Sequence, residues 1–207
     1  MKKNKQAELI LKMSSKELTF HLLVTQLLLF ILFVIFGIVL FKDFASFFDL
    51  FRMDRSVITL GAVSGIVIVL IDVVLMKILP EKYYDDGGIN EKIFSNRSIA
   101  EIAFLAMVIA ICEELLFRGV IQTHFGFFAA SVIFALVHIR YWGHWFLIVN
   151  IIVLSFWIGI IYQLSNQNLL ATIFMHFIID FLLGWIIRQK HFSKKGKGGM
   201  DHEKEPF

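Results

Sequence analysis

One cysteine and two prolines are all that this chain of 207 residues contains of either type. The lone thiol, Cys112, excludes a disulfide framework within a monomer. Pro80 stands with Gly87 and Gly88 in one loop, where together they break regular structure. The chain also lacks an internal repeat, a low-complexity tract and room for a separate soluble domain. No small-residue cleavage site accompanies the first apolar run, so the N-terminus does not read as a cleavable signal. Connections near 124–126 and 164–168 carry no Lys or Arg.

Apolar surface is what the chain has in excess. It is 58% hydrophobic, with 23 Phe and a mean hydropathy of +0.76, far above an ordinary soluble domain. The apolar residues fall in six blocks, about 21–41, 57–79, 99–123, 126–140, 144–163 and 168–188. Most reach the roughly 20 residues that a helix needs to cross a bilayer. The fourth, at roughly 15 residues, predicts an incomplete or tilted crossing. In lipid a helix satisfies its own backbone groups. The expected fold is therefore all-α, a polytopic transmembrane helical bundle of about six spans. Residues 1–98 read as an N-terminal segment, two spans and a loop. Residues 99–188 read as a core of four helices, and 189–207 as a polar Gly/Lys-rich tail expected to be disordered. Ser14 and Glu17 have capping-box spacing, which starts the first helix ahead of the bilayer. Gly61 and Gly65 form a GxxxG, read as close helix packing.

Basic residues set the expected orientation. Residues 1–20 hold five Lys or Arg, loop 77–98 holds four, tail 188–207 holds six and loop 42–56 holds three. This asymmetry places both termini in the cytoplasm, with the chain integral to the cell membrane. It also accounts for the net charge of +3, so no nucleic-acid partner is implied.

Polar residues inside the apolar blocks carry the functional signal. In "AICEELLFRGV", residues 110–120, Glu113, Glu114 and Arg118 interrupt the third block. A charge at the bilayer centre costs roughly 2.5–3.5 kcal/mol on insertion scales, so three within six positions demand a cause. Glu114 and Arg118 have the favourable i, i+4 spacing and read as a structural ion pair. Glu113 lies about 100° away around the helix and needs a partner from another helix. His138 lies four residues after Phe134 in the fourth block, and His176 and Asp180 lie four apart in the sixth. Counted from turns on one face at 1.5 Å per residue, Glu113 lies ~17–18 Å deep and His138 ~18–19 Å. By the same count His176 lies ~12–15 Å and Asp180 ~18–20 Å deep. Three helices thus bring two carboxylates and two imidazoles into one layer, which points to a site. Asp72 either joins this cluster or pairs with a basic residue. Asn150 reads as an interhelical hydrogen bond. His124 and His144 read as interfacial, and no site is read at His21, His191 or His202.

These residues resemble the CAAX protease and bacteriocin-processing (CPBP) family of intramembrane proteases, marked in order by EExxxR, FxxxH and HxxxN/D. Here the motifs read "EELLFR" at 113–118, "FALVH" at 134–138 and "HFIID" at 176–180. The resemblance implies an intramembrane endopeptidase. Glu113 and His138 would activate water, and His176 and Asp180 would face the oxyanion. Asp180, unable to donate when ionised, would orient His176, bridge through water or carry a proton. Glu114 and Arg118 would fix the Glu113 helix, and Phe134 would wall the pocket. A metal-free, glutamate-type reaction is favoured. Zinc held by Glu113, His138, His176 and Asp180 is the alternative, although no HExxH is present. The implied partners are the lipid bilayer and a membrane-anchored peptide or protein, possibly lipidated. The competing reading is a non-catalytic membrane scaffold or a bacteriocin self-immunity protein. A proton- or metal-linked transporter is less favoured, since inverted halves and paired broken helices are not evident.

Overall fold

The computed structural model describes residues 12–141 and 144–201. The residues before and after these bounds, including the basic residues of 1–11 and His202, lie outside the described residues, as do Trp142 and Gly143.

The apolar blocks of the sequence become helices, and no strand occurs among the described residues. Helix α1 is Ser15–Leu40, and Ser14 and Glu17 form the reciprocal capping box that their spacing predicts. A short helix α2, Phe44–Phe48, follows, capped by Asp43. Helix α3 is Val57–Ile78 and opens with a π-helical turn, Val57–Ala62. Two short helices, α4 (Glu81–Tyr84) and α5 (Ile89–Phe94), fill the loop after Pro80. Helix α6 starts as Ile99–Glu114, capped by Ser98 and Glu101, and continues as a π-helix over Leu115–Gln122. Gly126, at φ 89°, makes the turn into α7, Phe127–Val137. Helix α8 is Trp145–Leu164 and α9 is Leu169–Asp201.

Four helices are each long and apolar enough to cross a membrane: α1, α3, α8 and Leu169–Ser193 of α9. The α-helical and π-helical parts of α6 together provide the central path between them. Helix α7 has 11 residues, about 16 Å of rise, and so reaches only half-way through a bilayer. It stops at His138 because that residue leaves the helical region and its ring bonds back to the Phe134 carbonyl. The large apolar side chains of α1 and α3 point outward, among them Leu27, Leu28, Ile38, Leu70 and Ile78. Lipid is the environment that suits such a surface.

Polar clasps hold the two ends of the bundle. At one end Arg97 reaches Thr19 on α1 and the Ile93 carbonyl, while Arg188 Nε donates to the Arg97 carbonyl at 2.7 Å. At the other, Arg52 Nη2 donates to the carbonyls of Ser165 and Asn166, and Asn168 bonds the Arg52 backbone in both directions. A cation at the last carbonyls of α8 also suits the helix dipole.

Helix α9 differs from the sequence reading. It runs through 189–201, where a disordered tail is expected from composition. Contacts at the end of the span anchor the helix there. Arg188 lies over Phe192 and bonds Arg97, and His191 lies 3.2 Å from Glu91. The expected close packing of α3 is present. A Cβ on Gly61 would strike the Ala171 carbonyl oxygen, and one on Gly65 would lie 2.9 Å from the Met175 carbonyl oxygen. The small-residue face of α3 thus lies directly on the turn of α9 that carries His176.

Candidate active site

Glu113 and Glu114 close the α-helical part of α6, immediately before it widens into the π-helix. Adjacent positions point about 100° apart, so the two carboxylates meet different helices. Single π turns recur at functional sites, where they displace the register of side chains without breaking the span.

Glu114 is fully buried and so is Arg118. Their ion pair measures 3.5 Å, at the i, i+4 spacing. Arg118 Nη2 donates to the Ser155 carbonyl on α8 at 2.9 Å, and its guanidinium lies 4.7 Å from the Phe134 ring centroid. A cation over an aromatic face is worth most where water is excluded. Glu114 has a second partner that pairing within α6 does not reveal. Its Oε1 lies 2.9 Å from His176 Nδ1 on α9. A carboxylate at this distance accepts the Nδ1 proton and fixes the ring's orientation.

The other ring nitrogen of His176 faces two further carboxylates. Nε2 lies 3.6 Å from Asp180 Oδ2 and 4.0 Å from Glu113 Oε2. Both separations exceed a direct hydrogen bond and match polar groups that share a water. Glu113 is 8% exposed and also receives a hydrogen bond from Gln26 Nε2 on α1, at 3.2 Å.

His138 sits at the C-terminal end of α7, with Nδ1 2.7 Å from the Phe134 carbonyl. A carbonyl can only accept, so Nδ1 carries the proton, and a neutral ring would have Nε2 as its acceptor nitrogen. Phe134 links the elements. Its ring centroid lies 4.6 Å from His138, 6.3 Å from His176 and 4.9 Å from Phe117, at 1% exposure. The structure thus brings Glu113, Glu114, Arg118, His176 and Asp180 into one polar cluster, and packs His138 against its aromatic wall.

One group outside the motifs lies differently from the sequence reading. Asp72 neither joins the cluster nor pairs with a basic residue; it hydrogen-bonds the Asn150 side chain on α8. The reason is placement. Asp72 lies on α3, whose contact face meets α9 through Gly61 and Gly65, and the neighbouring α8 supplies the amide. His124 bonds the Val120 carbonyl and packs edge-on against Phe41, away from the cluster.

Residues 95–182 match the family model described as type II CAAX prenyl endopeptidase Rce1-like. An uncharacterized protein of Bacillus subtilis (strain 168), YpbD, is 41% identical over 171 residues, covering 82% of this chain and 90% of that relative. The chain belongs to the CAAX protease and bacteriocin-processing family. No solved structure matches it. The CPBP match ends just after Asp180 and takes in all three motifs, and so covers the cluster on α6, α7 and α9. Gln26 lies outside it, on α1.

The CPBP motifs raise the question of a metal. Among the described residues no three His, Cys, Asp or Glu side chains converge on one point as metal ligands would. Glu114 Oε1 already holds Nδ1 of His176, and Arg118 neutralises the same carboxylate. As placed, the set Glu113, His138, His176 and Asp180 does not form a zinc-binding geometry.

Sequence reasoning missed two features of this site. One is the bond from Glu114 to His176, which joins residues 62 positions apart. The other is Gln26, whose only signal was a neutral amide inside the apolar run "LLVTQLLLF".

Proposed function

We propose that the chain is an intramembrane endopeptidase that hydrolyses peptide bonds of membrane-anchored substrates with water activated by Glu113 and His138. The observation that carries this reading is the clamping of His176. Buried Glu114 holds Nδ1 at 2.9 Å, while Nε2 faces Glu113 and Asp180 across gaps of 4.0 and 3.6 Å.

The chemistry follows from those positions. Glu113 Oε2 takes a proton from the water, which His138 Nε2 helps to orient. The hydroxide oxygen adds to the carbonyl carbon, and the carbonyl π electrons move to oxygen. Protonated, His176 donates Nε2–H to that oxyanion, and Asp180 steadies the ring. Collapse of the tetrahedral intermediate breaks the C–N bond, and the departing amine takes the proton that Glu113 accepted. Glu114 and Arg118 contact no reacting atom and act by holding His176.

The substrate class follows from depth. A site about half-way along α6 is reached by a lipid-anchored chain end, prenylated or otherwise, or by a span that unwinds. Both termini of the protein would face the cytoplasm in the cell membrane. The test is wild-type protein in liposomes with a lipidated, membrane-anchored peptide. Cleavage that is lost in Glu113→Gln and His176→Ala supports the reading. A cellular phenotype that survives Glu113→Gln, with no cleavage by wild type, would favour the scaffold or self-immunity reading.

A further inference from the structure

We infer that Gln26, on the first span, is a positioning residue for Glu113: it ties down one carboxylate oxygen and leaves the other to take the proton from water. This rests on the protease reading above. Gln26 lies outside all three motifs and outside the stretch that matches the family model.

Three observations carry the inference. First, of the 26 residues of α1 only Leu18 and Gln26 are buried. Leu18 packs into an apolar cluster with Ile89, Ile93, Phe94 and Ile102. Gln26 is the one buried polar side chain of this helix, and it is 5% exposed. Second, its Nε2 donates to Glu113 Oε1 at 3.2 Å, so the oxygen that faces His176 Nε2 at 4.0 Å is the other one, Oε2. The two oxygens of Glu113 are therefore distinguished by their partners. An untied carboxylate would rotate about its terminal bond and present either oxygen. Third, Gln26 Oε1 is buried with no hydrogen-bond partner among the described residues. A buried orphan acceptor lowers stability, and an apolar side chain of the same shape would remove that penalty. Packing alone does not account for an amide here; the bond to Glu113 does.

Gln26→Met keeps length and burial and removes both polar ends. In liposomes, kcat should fall on the order of 10–100-fold, the scale seen when partners that orient reactive groups are removed. KM should stay within about twofold, and kcat is taken per folded molecule, since Met removes the orphan Oε1 of Gln26 but leaves Glu113 Oε1 without its donor. A second readout does not need turnover. The infrared carboxyl band that disappears in Glu113→Gln should shift in frequency in Gln26→Met. Gln26→Leu repeats both measurements should Gln26→Met not fold.

An unchanged kcat per folded molecule, a change confined to KM, or an unshifted Glu113 band would overturn the inference. If wild type cleaves, and Glu113→Gln abolishes cleavage while Gln26→Met does not, the inference fails and the protease reading stands. If wild type does not cleave, the protease reading fails. The infrared band then decides alone whether Gln26 holds Glu113.

Discussion

His176 turns its two ring nitrogens toward two glutamates that are adjacent in sequence. Nδ1 lies 2.9 Å from Glu114 Oε1, and Nε2 lies 4.0 Å from Glu113 Oε2. The unequal distances separate the roles. The short contact is a hydrogen bond that fixes the ring. The long one is not a direct hydrogen bond, and a single water could bond both groups from the side. A helix presents consecutive residues about 100° apart, so one dipeptide can supply both a clamp and a base. Arg118 belongs with the clamp, because it offsets the charge of Glu114 where no solvent reaches.

Loss of either member of that buried pair should be severe. Glu114→Gln leaves the Arg118 guanidinium without its carboxylate, and Arg118→Leu leaves the buried Glu114 without its cation. Breaking a buried pair typically costs about 3–5 kcal/mol. Both variants should give less folded protein and a lower unfolding temperature in detergent. Glu114→Gln should also slow cleavage per folded molecule, because it weakens the His176 clamp. Wild-type yield and unfolding temperature for both variants would show that the pair contributes little.

Much of this arrangement was legible in the sequence. Apolar blocks of span length gave the helices, because lipid leaves helical hydrogen bonding as the main option. Capping residues Ser14 and Glu17 marked the start of α1, and the half-length fourth block became α7. Charges inside apolar runs marked Glu113, Glu114, Arg118, His176 and Asp180. The rest depends on which helix faces which. Gln26 is uncharged and costs less to bury than a charge, so its amide inside an apolar run was a weaker signal than the motif residues. The bond from Glu114 to His176 follows from tertiary packing, as does the Asp72–Asn150 pair. The π-helix over Leu115–Gln122 has no distinctive composition. At the end of its apolar run, helix α9 is anchored by Arg188 and His191, which find partners on Arg97 and Glu91.

Gly61 and Gly65 should be intolerant of side chains. Each sits against the backbone of α9, at Ala171 and Met175, on either side of the turn that leads to His176. Overpacking of this kind costs about 1–3 kcal/mol. Gly61→Val should lower the unfolding temperature and should also slow cleavage, because α9 must shift to admit the side chain. Full activity and stability in Gly61→Val would mean that α3 can move away without disturbing His176.

Asp180 offers a test of how His176 is steadied. Its Oδ2 lies 3.6 Å from Nε2, one turn along the same helix. Asp180→Asn keeps the shape and removes the charge, and its amide can itself donate to an oxyanion. Cleavage should then fall only about tenfold, within the range for one supporting hydrogen bond. Asp180→Leu removes both charge and hydrogen bonding and should lose more, on the order of 10–100-fold, the scale for a partner that orients a reactive group. Equal losses in the two variants would show that charge, and not hydrogen bonding, is what Asp180 supplies.

The role of Glu113 can be separated from that of a metal in a single experiment. Gln at this position keeps the shape and can still accept the Gln26 amide proton through its carbonyl oxygen. It cannot take a proton from water. Glu113→Gln should therefore fold normally and lose on the order of 10²–10⁴-fold in kcat, the usual contribution of a general base. A metal-activated water makes a different demand, because chelation would then remove activity and added zinc would restore it. The measurement uses wild type and Glu113→Gln in liposomes, each before and after exhaustive chelation, with a membrane-anchored peptide. Wild-type cleavage that survives chelation, alongside none in Glu113→Gln, is the expected result. Cleavage lost on chelation and recovered with zinc would require the cluster to rearrange, since Glu114 occupies Nδ1 of His176 and no three ligands converge as placed. Cleavage that persists in Glu113→Gln would remove this residue from the chemistry and leave only burial near His176 to explain its charge.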